Sequence, residues 1–194
     1  MKECWIPDLV RCRNLSEWAA YDELLYRIFK SELIESRPVY RGLPVQIRYE
    51  PRFDGREEAY WHLTCKDYDN KSGLPDDRQP DVERCERIRW PKAFIEQNQE
   101  CASCSYPDGC NGAIIWASTH KSRHQNRKRV KILVEEERYM VVLESRERYW
   151  LLITAFYFQD DRKLMRTLNE AQKKGAVKAG SAISALPEGS FHTR

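Results

Sequence analysis

Hydrophobic residues return at three- and four-residue steps through residues 16–35, where Trp18, Tyr21, Leu25, Ile28, Phe29 and Leu33 trace one stripe. That period is α-helical and Ser16 stands where a cap would, so the pattern predicts a helix with a core-facing stripe. After Pro38 the period changes. Val45, Ile47 and Tyr49 alternate with polar residues as in a half-buried strand, and Pro51 closes it. Residues 59–65 form an aromatic island that fits a helical turn or a strand. Residues 67–81 carry Gly73, Pro75 and Pro80 among several aspartates and read as a loop. Pro91 is tolerated in a first helical turn and opens a helix to about residue 99. A cysteine-rich loop follows at 101–112.

The last third has the clearest pattern. Residues 130–134, 139–143 and 149–158 are three β-rich runs joined by short charged connections, as in an antiparallel meander. Residues 151–158 are nearly continuous in their apolarity, which predicts a central strand covered on both faces. A closing helix is expected over 160–174, with Leu164, Met165, Leu168 and Ala171 on one face and Lys173 and Lys174 at its C-terminal end. The expected architecture is α+β, with N-terminal helices packed on an antiparallel meander sheet and a closing C-terminal helix. It forms one domain over 1–174, with a helical part at 1–39 and the cysteine-rich loop at 100–112. Residues 175–194, rich in Gly, Ala and Ser, are expected to be a loose tail.

Composition narrows the class without naming an activity. A chain of 194 residues with 41% apolar residues, including 6 Trp, 10 Tyr and 6 Phe, has the means to bury a core. No apolar run approaches the ~18–20 residues that span a bilayer, and the start lacks the apolar stretch of a signal peptide. A cytoplasmic protein with no membrane partner is therefore expected, and seven cysteines there read as thiols or metal ligands.

The net charge of +3 is a sum of segregated parts. Residues 119–131 hold six Lys/Arg, namely Lys121, Arg123, Arg127, Lys128, Arg129 and Lys131, with His120, His124 and no acid. Such a basic loop suits phosphate contacts, because each neutralised phosphate releases counterions and arginine grips phosphate oxygens with two bonds. It also reads as a solvated surface loop. Lys121, Arg123, Arg127, Lys128 and Arg129 are its candidate phosphate-contacting residues, which become RNA-binding residues under the resemblance given below.

Cys101-Ala102-Ser103-Cys104 followed by Cys110 offers a chelating pair and a third thiolate, with Cys85, Cys65 or a histidine as fourth ligand of a structural zinc. The same cysteines read as free thiols in a loop. His62 is the one histidine outside the basic loop and the tail, and an imidazole accepts and returns protons near neutral pH. It reads equally as a hydrogen-bonded structural histidine. Gly-rich nucleotide loops, the nucleophile-elbow serine, the metalloprotease histidine pair and the kinase set are missing from the sequence, and no acidic pair suits magnesium.

Four segments together resemble a known family. Tyr60-Trp61-His62-Leu63-Thr64, then residues 84–90, then 138–146, then Tyr149-Trp150-Leu151-Leu152-Ile153-Thr154-Ala155-Phe156-Tyr157 look like the phage and mobile-element branch of the barnase–EndoU–colicin–RelE nucleases, over roughly residues 40–172. The resemblance implies a metal-independent endoribonuclease that cleaves through the ribose 2′-hydroxyl, a toxin or conflict protein with a neutralising protein partner. No cofactor is then needed for catalysis. It casts His62 as base or acid, Thr154 in preference to Tyr157 as a phosphate-contacting hydroxyl, and Arg87 and Arg89 as phosphate clamps. His120, Lys121 and His124 remain candidates for a second acid or base. The rival expectation is a non-catalytic accessory or inhibitor module that holds nucleic acid or protein with the basic loop, stapled by zinc.

Overall fold

A computed structural model describes residues 4–67, 78–102, 110–121 and 126–179. Much of the expected loop at 67–81, together with Cys104, Arg123, His124 and most of the expected tail, lies outside these residues. Among the described residues, no helix is long and apolar enough to cross a membrane.

The fold is α+β. The N-terminal part is not helical throughout, because residues 4–13 run as a strap without helix or strand, whose Val10 N–H donates to Glu86 O at 2.8 Å. One 3₁₀ turn at Leu15–Glu17 leads into helix α1 (Trp18–Phe29), which continues as a π-helical stretch at Lys30–Glu35. Asn14 rather than Ser16 caps this start, its side-chain oxygen accepting from Ser16 N at 3.0 Å. The expected stripe is the buried one, with Tyr21, Leu25, Ile28, Phe29 and Leu33 turned to the core.

Three short helices follow: α2 (Glu58–Thr64), α3 (Val82–Glu86) and α4 (Trp90–Glu96), and α5 (Asp161–Lys173) closes the fold. The aromatic island is thus the helical alternative. The strands are β1 (Val39–Tyr40), β2 (Leu43–Gln46), β3 (Cys65–Asp67), β4 (Arg78–Pro80), β5 (Ala113–Lys121), β6 (Asn126–Val134), β7 (Tyr139–Ser145), β8 (Trp150–Tyr157) and β9 (Val177–Lys178). Seven of them form one sheet in the order β1-β2-β8-β7-β6-β5-β9, and β3 pairs with β4 separately.

The meander is present as β5–β6–β7–β8, antiparallel throughout. The sheet as a whole is mixed, because β2 pairs with β8 in parallel. The strand buried on both faces is β7, where Tyr139 through Glu144 are all buried, and not the expected 151–158 run. The reason is position. β7 is the middle strand of the seven, whereas β8 meets the short β2 along only part of its length. The start of the expected tail is also ordered: Val177 pairs with Ile115, and Ala179 N–H donates to Ala113 O at 2.7 Å.

The sheet divides two apolar layers. On one side Leu25, Phe29, Tyr60, Leu63 and Phe94 pack against Ile132, Val141, Leu143 and Ala155. On the other, Leu164, Leu168 and Ala171 of α5 cover Trp116, Leu133, Met140, Val142 and Phe158. Asp160 caps α5 by accepting from Arg162 N at 2.7 Å. Asp160→Ala leaves that donor unsatisfied and is expected to cost about 1 kcal/mol, read as a lower urea midpoint at unchanged slope.

Candidate functional site

His62 sits in the last turn of α2, and the end of that helix is held from outside. Arg84 Nη1 donates to His62 O at 2.8 Å and to Cys65 O at 2.6 Å, supplying donors to carbonyls that no helical N–H reaches. Asp81 N–H donates to Thr64 O at 2.9 Å, and Thr64 Oγ1 donates back to Tyr60 O at 2.8 Å. A seven-residue helix too short to be stable alone is thereby fixed by α3.

One turn earlier, Glu58 places Oε1 3.1 Å from His62 Nε2 and 3.2 Å from Arg48 Nη1. The Glu58 side chain is largely buried, and its Oε2 has no hydrogen-bonding partner among the described residues. The His62 side chain remains 36% exposed. Burial pulls the imidazole pKa below its ordinary value, the Glu58 hydrogen bond works against this, and the charges of Arg78 and Arg48 add to the lowering. The ring is therefore mainly neutral at pH 7. With Nε2–H donating to Glu58, the neutral ring keeps Nδ1 as a proton acceptor, which is the arrangement of an oriented general base.

The other predicted residues do not gather around His62. Thr154 faces Val142 across the β7–β8 pair, and directly opposed residues share a sheet face, so Thr154 lies on the α5 side with Phe156. His62 belongs to α2, which packs on the opposite side through Ala59, Tyr60 and Leu63. The sheet stands between them. Arg87 and Arg89 do not share a strand face, because residues 87–89 form the turn between α3 and α4 and strand alternation does not apply there. Arg87 is buried against the rings of Tyr157 and Trp90, at 4.3 and 4.9 Å, and pairs with Glu83. Arg89 turns instead toward Glu32 at 3.8 Å.

The basic segment is corrected as well. Its described residues are strands rather than loop, with Thr119, His120 and Lys121 on β5 and residues 126–131 on β6. Alternation sends Lys121 and Lys128 to the helical side and His120, Arg127, Arg129 and Lys131 to the α5 side. Most of the latter have acidic partners that the linear run does not show. Lys131 Nζ lies 2.8 Å from Glu170 Oε1, and Arg129 Nε lies 2.9 Å from Glu144 Oε2. Arg127 Nε at 4.0 Å and Arg146 Nη2 at 2.6 Å address the other oxygen of Glu144. Glu144 is buried, its side chain only 4% exposed, with three guanidinium groups around it.

No family model, curated protein or solved structure matches this chain. The functional reading therefore rests on the two polar centres above and on the cysteines.

Of the expected zinc ligands, Cys104 lies outside the described residues. Cys101 and Cys110 both converge on Gly112, whose positive φ of 74° suits glycine and whose added Cβ would meet Cys101 Cβ at 3.3 Å. Cys101 Sγ accepts from Trp5 Nε1 at 2.9 Å and Ala113 N at 3.2 Å, and Cys110 Sγ accepts from Gly112 N at 3.3 Å. Among the described residues, no three Cys, His, Asp or Glu side chains form a metal-binding group. Cys65 and Cys85, the other named ligands, are buried at the α2–α3 junction, where burial pushes both thiols up and Cys85 Sγ donates to Thr64 O.

Of the residues in these two polar centres, the sequence pattern points to His62, Arg127 and Arg129 and does not single out Glu58, Glu144 and Arg146. Glu58 and His62 stand four apart, so their contact was readable once residues 58–64 are taken as a helix. Glu144 and Arg146 carry a weaker signal, a pair of charges at two-residue spacing that ends an apolar strand.

Proposed function

We propose that this protein is a metal-independent endoribonuclease in which His62 moves the proton. The observation that carries the reading is the half-exposed His62 imidazole, oriented through Nε2 by Glu58 and held neutral chiefly by burial. In the proposed step Nδ1 takes the proton of a ribose 2′-hydroxyl, the 2′-oxygen forms a bond to the adjacent phosphorus, and the bond from phosphorus to the 5′-oxygen breaks. The departing oxygen takes a proton from solvent. Arg48, anchored on Glu58, is placed to offset the charge that grows on the phosphate.

A labelled RNA and its deoxy counterpart, each incubated with the full chain with and without chelator, test this. Cleavage of RNA alone, with a 2′,3′-cyclic phosphate product and no effect of chelator, is the expected result. Equal cleavage of DNA, or loss of activity with chelator, overturns it. A second reading, nucleic-acid binding without cleavage, is favoured by one observation: Thr154, Arg127 and Arg129 lie across the sheet from His62. It predicts salt-sensitive binding of RNA and DNA with no product.

A further inference from the structure

We propose that Arg127, Arg129 and Arg146, arranged around Glu144 on the α5 side of the sheet, form a binding site for the phosphodiester backbone of a nucleic acid. The choice of a nucleic acid as ligand rests on the reading above, but the site is separate from His62 and needs no chemistry there.

Arg127 and Arg129 are two apart on β6 and therefore share a face, and Arg129 stands directly opposite Glu144 on β7. Arg146 follows at the end of β7, two residues beyond Glu144. All three side chains thus converge on one carboxylate, at 4.0, 2.9 and 2.6 Å. Three positive charges against one negative charge leave an excess of two.

Excess positive charge of this kind is usually dispersed into solvent. Here the arrangement holds it together. Glu144 Oε2 receives Arg129 and Oε1 faces Arg127 and Arg146, so both carboxylate oxygens are occupied while each five-donor guanidinium keeps further N–H groups. Arg146 Nε is buried and has no hydrogen-bonding partner among the described residues. The side chains of Arg127, Arg129 and Arg146 remain 34, 21 and 22% exposed, so an anion has access to them. Further along β6, Glu170 of α5 takes up the charge of Lys131, which confines the excess to this part of the strand pair. His120, opposite Arg127, adds a donor on the same face.

A phosphodiester supplies what the cluster lacks: anionic oxygens in the plane and spacing that a guanidinium fork receives. Glu144 acts as a positioning residue, holding the guanidiniums before the ligand arrives. A chain of phosphates, one per nucleotide, matches cations spaced along a strand better than a single small anion does.

The test is a salt titration of binding with the full chain. A fluorescent 2′-O-methyl RNA and a DNA of the same sequence are the probes, since neither has the hydroxyl that cleavage requires. Arg146→Ala and Arg127→Ala are each expected to reduce the slope of log affinity against log salt by about 0.7 for a single strand, the share of one phosphate contact. Lys92→Ala, on α4 at the helical side and paired with Glu96, is expected to leave the slope unchanged. Equal binding of the two probes supports recognition of the backbone alone, and tighter binding of the RNA analogue supports an added sugar contact. If neither arginine variant alters the slope while far-UV circular dichroism shows both folded, the site is refuted. A cleavage-dead protein with these slope changes intact refutes the His62 assignment and leaves this site standing.

Discussion

His62→Ala is expected to lower RNA cleavage by about 10²–10⁴-fold, the usual contribution of a positioned general base. The fold is expected to survive. The lost contact is an i,i+4 hydrogen bond to Glu58, worth about 0.2–0.5 kcal/mol, and Glu58 keeps Arg48 as its partner. A thermal midpoint within about 2 °C of the parent protein is therefore expected. The pH profile of kcat/KM supplies a second readout with a definite sign. The working form is the neutral imidazole, whose pKa burial lowers from its ordinary 6.5. Activity must then persist on acidification to a pH below 6.5 and fall only as the ring takes up a proton. Glu58→Gln removes the influences that raise this pKa, so the acid limb moves lower while the rate drops through lost orientation. Arg48→Ala removes a lowering charge and moves the limb upward. Undiminished cleavage by His62→Ala would falsify the role assigned to this residue.

The difference between what the sequence shows and what it hides follows the range of the interactions involved. The stripe of α1 and the apolar face of α5 are readable because burial on one face imprints a helical period, and β7, β8 and the second half of β6 are readable as apolar, β-rich runs. β5 went unrecognised although Ile114, Ile115 and Trp116 are β-formers, because it lies between the cysteine-rich segment and a basic run that dominates its second half. β9 is two residues long, too short for any period. The parallel pairing of β2 with β8 joins residues more than 100 positions apart, and nothing local encodes it.

The same limit shaped the reading of the site. Thr154 and Phe156 do share one face and Tyr157 takes the other, as alternation requires. A β-bulge beside Val142 and Leu143 nonetheless places Leu152 and Ala155, three apart, in the same layer. The acid-free run at 119–131 was read as uncompensated because its partners, Glu144 and Glu170, arrive from other elements. Local charge counting sees only neighbours in the chain. What it could not show is that two acids divide the cations into a neutral pair at Lys131 and a positive cluster around Glu144.

The largest loss of stability is expected from Phe94→Ala. Phe94 is fully buried on α4, with Trp5 at 5.0 Å and Tyr139 at 5.1 Å in edge contact and Trp90 stacked at 6.1 Å. One ring therefore touches three elements: the N-terminal strap through Trp5, its own helix, and the central strand β7. Trp5 is the largest side chain of the strap, which is also held by Ile6, Leu9 and Val10 against the core and by hydrogen bonds from Trp90 Nε1 to Pro7 O at 2.8 Å, Tyr21 Oη to Val10 O at 2.6 Å and Val10 N–H to Glu86 O at 2.8 Å. Emptying the centre of this aromatic cluster removes apolar contact and leaves a cavity that three rigid rings cannot close. A cost of about 3–5 kcal/mol is expected. Against a typical total of about 5–15 kcal/mol that is a large fraction, and it corresponds to a thermal midpoint lower by about 6–20 °C for a chain of this size. Met165→Ala, at an exposed position on α5, is the matched control and is expected to change stability by less than about 0.5 kcal/mol. Because the strap docks partly through Trp5, limited proteolysis of Phe94→Ala is expected to show a new cleavage near residues 4–13 that the parent protein lacks, before the sheet is attacked. A denaturant midpoint equal to that of the parent protein, or no new cleavage at the strap, would show that the strap is held independently of this cluster.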